Sequence, residues 1–151
     1  MQAKKHLWQN FLTNTGIIDK IATATKTEGK HVIEVGPWHG ALTKHLYNSD
    51  YKTLQLVELD RDLLEELGTI FDDTATTIHH GDILKTSIAQ GNTGPVINFD
   101  GENTPDTDDY VVFGNIPYYI TSPILRHFLY SDFQSPTTMV ILMQKEVANK
   151  I

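Results

Sequence analysis

His31-Val32-Ile33-Glu34-Val35-Gly36-Pro37-Trp38-His39-Gly40-Ala41-Leu42-Thr43 is the stretch on which the fold turns. Three β-branched apolar residues in five read as a buried strand. Gly36-Pro37 stops that strand, and Leu42, His45 and Leu46 recur beyond it at helical spacing. Upstream, Thr13 or Asn14 can cap a helix that puts Ile17, Ile18, Ile21 and Ala22 on one face and ends at Gly29-Lys30. Downstream, the run 53–58 (TLQLVE) is a second strand, and Leu63, Leu64, Leu67 and Phe71 mark a second amphipathic helix. Residues 76–79 make a short strand, 110–113 a further one, and 138–143 a last one. Ile124, Leu125, Phe128 and Leu129 mark the helix between the final two. Strands alternating with helices predict an α/β fold, a mostly parallel sheet with helices on both faces. Ligands of such sheets bind outside the carboxyl ends of the strands, so the loops after each strand carry the function.

The chain has 151 residues, 40% hydrophobic and 21% charged, which suits one domain spanning 1–151. Residues 86–109 stand apart, rich in Gly, Asn, Pro, Asp and Thr. They read as a surface insertion with one small strand at 95–99. There is no cysteine, which excludes disulfides, thiolate metal sites and a cysteine nucleophile. No run approaches the roughly 20 apolar residues of a membrane span, and the start opens no signal-peptide core, so a cytoplasmic protein is expected. The net charge is −7, which by itself opposes phosphate binding. The acids are concentrated, however: seven lie in 58–73 and five in 100–109. Elsewhere seven acids face eleven bases, and nucleic acid remains open as a partner. His79-His80 and Lys30-His31 lack partners at ligand spacing, so no metal is expected, and His45 is expected to pack on a helix face.

Four strand ends carry suggestive residues. Gly36 lets a ligand approach the backbone, although a lone glycine turn also serves as an ordinary connection, and its spacing is not G-x-G-x-x-G. Glu58 lies 22 residues further on, where an acid can accept from both hydroxyls of a ribose or simply be solvated. Asp82 can accept from an adenine amino group while Ile83 packs on the ring; Gly81-Asp82 is equally a turn. The run 114–119 (GNIPYY) is the sharpest. The Asn115 side-chain oxygen and the Ile116 carbonyl can accept both hydrogens of an exocyclic amine, Pro117 fixes a torsion, and Tyr118 can stack on a base.

Taken in order, these motifs resemble those of the ribosomal RNA adenine N6-dimethyltransferases and their erythromycin-resistance relatives. The run 4–12 (KKHLWQNFL) looks like the family's amino-terminal cofactor motif. The glycine loop, 57–63, 81–84, 115–118 and 144–148 follow in family order over nearly the whole chain. Lys4-Lys5 and the run 119–123 (YITSP) look closer to the small-subunit enzymes than to the resistance branch.

The resemblance implies a Rossmann-like S-adenosylmethionine-dependent methyltransferase fold that stops short at its carboxyl end. It implies cofactor contacts from Gln9, Asn10, Leu12, Gly36, Glu58, Leu59, Asp82, Ile83 and Asn115, with Asn115, Pro117 and Tyr118 at the reacting base. The implied reaction is double methylation of an adenine N6 in small-subunit ribosomal RNA or a pre-ribosomal subunit, by a monomer, without metal or membrane. Three departures stand out. The family usually has glycine where Trp38 stands and a small or aliphatic residue at His39, so Trp38 either crowds the cofactor's methionine end or folds outward. Glycine is also usual at Trp8, and the family continues beyond the position of Ile151 with further strands, an aromatic loop that clamps the base and a helical domain that grips RNA. The rival readings are a methyltransferase fold that binds cofactor or RNA without turnover, and a large-subunit or other N6-adenine methyltransferase. N6-adenine DNA methyltransferases and protein-amide methyltransferases, a further rival, carry proline directly after the Asn, where this chain has Ile116.

Overall fold

The computed structural model describes residues 15–91, 94–98, 109–143 and 148–150. The elements are α1 (Thr15–Thr25), β1 (His31–Val35), α2 (Ala41–Tyr47), β2 (Thr53–Glu58), α3 (Leu64–Ile70), β3 (Thr76–His80), β4 (Ser87–Gly91), β5 (Gly94–Asn98), β6 (Tyr110–Asn115), α4 (Thr121–Tyr130) and β7 (Thr138–Leu142). Single 3-10 turns precede α3 at Arg61–Leu63 and follow β3 at Ile83–Lys85. No helix among the described residues is long and apolar enough to cross a membrane.

Five strands form one parallel sheet in the order β3-β2-β1-β6-β7. Every residue of the central strands β1 and β6 is buried, as two covered faces require. Alternate residues feed two cores. Ile33, Val35, Val57 and Val112 meet Ile124 and Phe128 of α4 on one face. Val32, Leu54, Leu56, Val111 and Phe113 meet Ile18, Leu42, Leu46, Leu67 and Phe71 on the other. The chain runs β1-β2-β3 to one side and then crosses back to β6 on the other side of β1. The switch point therefore lies between β1 and β6.

Residues 86–109 contain more order than their composition suggests. β4 and β5 pair as an antiparallel hairpin, whereas the sequence indicated one strand at 95–99. Ile88 and Ile97 are buried in the α4-side core and tie the hairpin down. His45 also differs from expectation. Its Nδ1 lies 3.1 Å from Asp19 Oδ1 on α1, and Thr43 takes the buried place on α2 beside Leu42 and Leu46. Residues 13 and 14, the expected caps of α1, lie outside the described residues.

Candidate functional site

Parallel register aligns the carboxyl ends of four strands on one edge. Val35 pairs with Val57 of β2 and Gly114 of β6, and Glu58 pairs with His80 of β3. Gly36, Glu58, Asp82 and Asn115 therefore stand in the loops or last residues along that edge. Gln9, Asn10 and Leu12 lie outside the described residues.

Between β1 and α2 the chain turns through Gly36 (φ 68°), Trp38 (φ 54°) and Gly40 (φ 74°), all left-handed. Glycine takes that conformation freely, whereas for a residue with a Cβ it costs roughly 1–2 kcal/mol. Gly40 has a second reason to be glycine: a Cβ there would lie 2.6 Å from Phe71 Cε2. Trp38 carries the left-handed strain with a full indole. Its ring does not swing clear into solvent; it is 42% exposed, and its Nε1 and Cδ1 lie 3.7 and 3.8 Å from where a Cβ on Gly36 would stand. The Asn115 carbonyl oxygen is 3.6 Å from that same point. The indole thus stands over the strand end at the switch point.

Glu58, only 6% exposed, holds this loop in place. Its Oε2 accepts from the Trp38 backbone N–H at 3.1 Å and its Oε1 from the Asp60 N–H at 2.8 Å. A carboxylate has about four lone-pair sites, so two acceptor positions remain for a ligand. Asp82 is half-buried and caps the following 3-10 turn, its Oδ1 accepting from the Leu84 N–H at 3.0 Å. Ile83 is buried in the core with Val57 and Ile116, whereas Leu59 projects into solvent at the rim. The ring-packing surface expected of Ile83 is therefore mostly turned inward.

Asn115 ends β6 at 8% exposure, and its side-chain amide makes no hydrogen bond with any described residue. Its nitrogen and oxygen are not among the sealed polar atoms without a partner, so the amide can be reached from the strand edge. Pro117 is half-buried, and its carbonyl accepts from the Ile120 N–H and the Thr121 hydroxyl, which starts α4. Beyond it Tyr118 is half exposed, edge-on to Tyr119 at 5.6 Å.

Glu34, in the strand that leads into the glycine loop, is a buried acid that the sequence motifs do not single out. It is fully buried, pairs in register with Leu56 and Phe113, and leaves Oε2 without a partner; the nearby Thr43 Oγ1 is likewise unpaired. Burial pushes its carboxyl up to about 8; the Thr43 hydroxyl opposes this without reaching hydrogen-bond geometry, and the charge of Glu58 adds to it. Its one signal in the sequence is a lone acid in an apolar strand. Among the described residues no three His, Asp or Glu side chains gather as a metal-ligand set. An open depression of about 410 Å³ elsewhere is lined by Asp62, Glu65, Glu66, Thr69 and Ile70. It holds no site residue, and its acids would repel a nucleic acid.

The whole chain, residues 1–151, matches the model of the family described as ribosomal RNA adenine dimethylase. It is 41% identical over 150 residues to ribosomal RNA small subunit methyltransferase A of Lysinibacillus sphaericus, covering 98% of this chain and 48% of that protein. The protein of the same name from Mycoplasmopsis synoviae is 37% identical over 149 residues, covering 99% and 51%. The chain thus spans about half the length of the curated relatives it matches. Among solved structures, a dimethyladenosine transferase from Plasmodium falciparum superposes with a TM-score of 0.66 at 25% identity, over 91% of this chain and 44% of that one. The 23S rRNA methyltransferase ErmE superposes with a TM-score of 0.66 at 24% identity, over 89% and 48%. The fold is the Rossmann-like methyltransferase fold that the sequence indicated.

Proposed function

We propose a function from one premise: the chain belongs to the ribosomal RNA adenine dimethylase family. The activity is S-adenosylmethionine-dependent methylation, performed twice, of an adenine N6 in small-subunit ribosomal RNA. It is carried out in the cytoplasm by a monomer. The observation that carries this is the row of side chains across the sheet edge. Asp82 after β3, Glu58 at the end of β2, Gly36 after β1 and Asn115 at the end of β6 follow the strand order. That row suits adenine, ribose, methionyl chain and target base in succession.

The residues present fit such a ligand. Glu58 keeps two free acceptor positions for ribose hydroxyls, and Asp82 offers its second oxygen to an adenine amine. When bound, S-adenosylmethionine supplies a methyl group on a sulfonium, whose departure as a thioether needs no acid. The Asn115 side-chain oxygen and the Ile116 carbonyl accept the two hydrogens of the target amine. They draw its nitrogen lone pair out of conjugation and aim it in line with the methyl carbon. No strong base is required, because the N6 proton becomes acidic once the new C–N bond forms and leaves to water. Catalysis rests on position and on placed dipoles. Tyr118, half exposed, receives the unstacked base. Pro117 withholds a competing N–H from that place.

One observation favours a module that binds without turnover: the Trp38 indole over Gly36 narrows the methionyl end. Calorimetric titration with S-adenosylmethionine, then mass spectrometry of adenine in small-subunit RNA, separates the two. Binding followed by methyladenine supports the enzyme. Binding without methyladenine, even after the remaining half of a curated relative is joined to the chain, leaves the module. A folded chain that does not bind the cofactor refutes both.

A further inference from the structure

We propose that the indole N–H of Trp38 is the hydrogen-bond donor for the carboxylate on the cofactor's amino-acid end, making Trp38 a specificity-determining residue. The inference rests on the S-adenosylmethionine reading above and assigns to one side chain a contact which that reading leaves open.

A carboxylate docked against a loop ordinarily takes backbone N–H groups. Here those groups are largely used. The Gly36 N–H donates to the Val57 carbonyl at 2.9 Å, and Pro37 has none. The Trp38 N–H donates to Glu58 Oε2, and the Gly40 N–H to the Pro37 carbonyl at 2.8 Å. The His39 N–H and, beyond it, the first-turn amides of α2 are the backbone donors not engaged in this way. With the other positions of the loop thus lacking a free N–H, a carboxylate at Gly36 gains from a side-chain donor.

Trp38 provides one at the required place. Its Nε1 and Cδ1 are the side-chain atoms nearest Gly36, 3.7 and 3.8 Å from where a Cβ there would stand, and the N–H makes no hydrogen bond with any described residue. Indole nitrogen is a donor only, so an anion is the partner it suits. The orientation is held from two sides. The left-handed backbone at φ 54° fixes where the side chain leaves the loop, and Glu58 pins the Trp38 amide. The same Glu58 is the proposed ribose acceptor. Ribose and carboxylate recognition would then share one loop geometry. The neighbouring Asn115 carbonyl and Glu58 carboxylate repel an anion, so the ligand's ammonium faces them and its carboxylate turns to the indole.

The test is a cycle on the 151-residue chain, pairing Trp38→Phe with removal of the ligand's carboxylate. S-adenosylhomocysteine and its decarboxylated form are titrated calorimetrically into both proteins. For the wild type, decarboxylation should weaken binding about tenfold or more. Trp38→Phe should weaken S-adenosylhomocysteine by about the same factor while binding the decarboxylated form as the wild type does. Equal losses on both ligands, no loss, or tighter binding would overturn the assignment and leave Trp38 as mere wall or obstruction. A second measurement needs no variant to bind. In the 15N-labelled wild type, one indole N–H resonance, attributed to Trp38 by its absence from Trp38→Phe, should move with S-adenosylhomocysteine and stay put with the decarboxylated form. A resonance unmoved by either, in a protein that calorimetry shows to be saturated, overturns it too. A wild type that binds neither ligand would instead sink the cofactor reading itself.

Discussion

Replacing Glu34 by Gln should make the protein more stable at pH 8 and leave it nearly unchanged at pH 5. Glu34 sits in the middle sheet of an apolar sandwich, with Oε2 unpaired, and its carboxyl is raised from 4.5 to about 8. Between those two values the folded chain keeps a proton that the unfolded chain has already released. Stability therefore falls as pH rises through the window, because the native state binds more protons there. A tenfold difference in proton affinity between the two states is worth about 1.4 kcal/mol, so roughly 3 kcal/mol is lost by pH 7 and on the order of 5 by pH 8 and above. Gln has nearly the same shape and does not titrate, so it removes the slope while leaving the packing in place. His79 and His127 are both lowered by burial, and they act in the opposite sense below their ordinary range. The difference between wild type and variant cancels them. The assay is urea denaturation of both proteins at half-unit steps from pH 5 to pH 8. The gap should open steadily towards high pH, by several kcal/mol in total. Parallel curves across that range would refute the reasoning, since they would mean that Glu34 is hydrated or paired in solution.

Three further outcomes follow from the site. Glu58→Ala removes the proposed ribose acceptor and frees the Trp38 and Asp60 amides together, so calorimetry should show cofactor binding at least about tenfold weaker; unchanged affinity in a folded variant contradicts the assignment. Asn115→Ala should abolish methyladenine formation while cofactor affinity stays within about threefold, the pattern of a contact made mainly in the transition state. Parallel losses in both would recast Asn115 as a binding residue. Gly40→Ala combines a left-handed backbone with a methyl 2.6 Å from the Phe71 ring, and denaturant melts should show destabilisation of about 2–4 kcal/mol.

What the sequence made legible and what it hid divide along a physical line. Strand-end motifs were readable because parallel α/β topology sends every such end to one edge, whatever the exact register. Central strands were readable because two covered faces demand unbroken apolar runs, as in β1 and β6. β4 was not: a stretch of Ser, Ile, Ala, Gln and Gly has one large apolar residue, and only its pairing with β5 and the burial of Ile88 make it a strand. Side-chain direction was equally hidden. Ile83 follows an acid suited to adenine, yet its side chain turns into the core; His45 lies at helical spacing with Leu42, yet reaches Asp19 on a neighbouring helix.

Trp38 shows both sides of that line at once. The sequence marks Trp38 as a bulky residue where glycine is usual, and the structure shows it left-handed at φ 54°, a position occupied at a cost. Whether the ring leaves or enters the site depends on χ angles that no sequence period encodes. In the structure the indole stays beside Gly36, with Nε1 and Cδ1 its nearest atoms. On the proposal above, a residue that looks like damage to a glycine loop adds a donor beside Gly36, where the Gly36, Trp38 and Gly40 amides are already engaged.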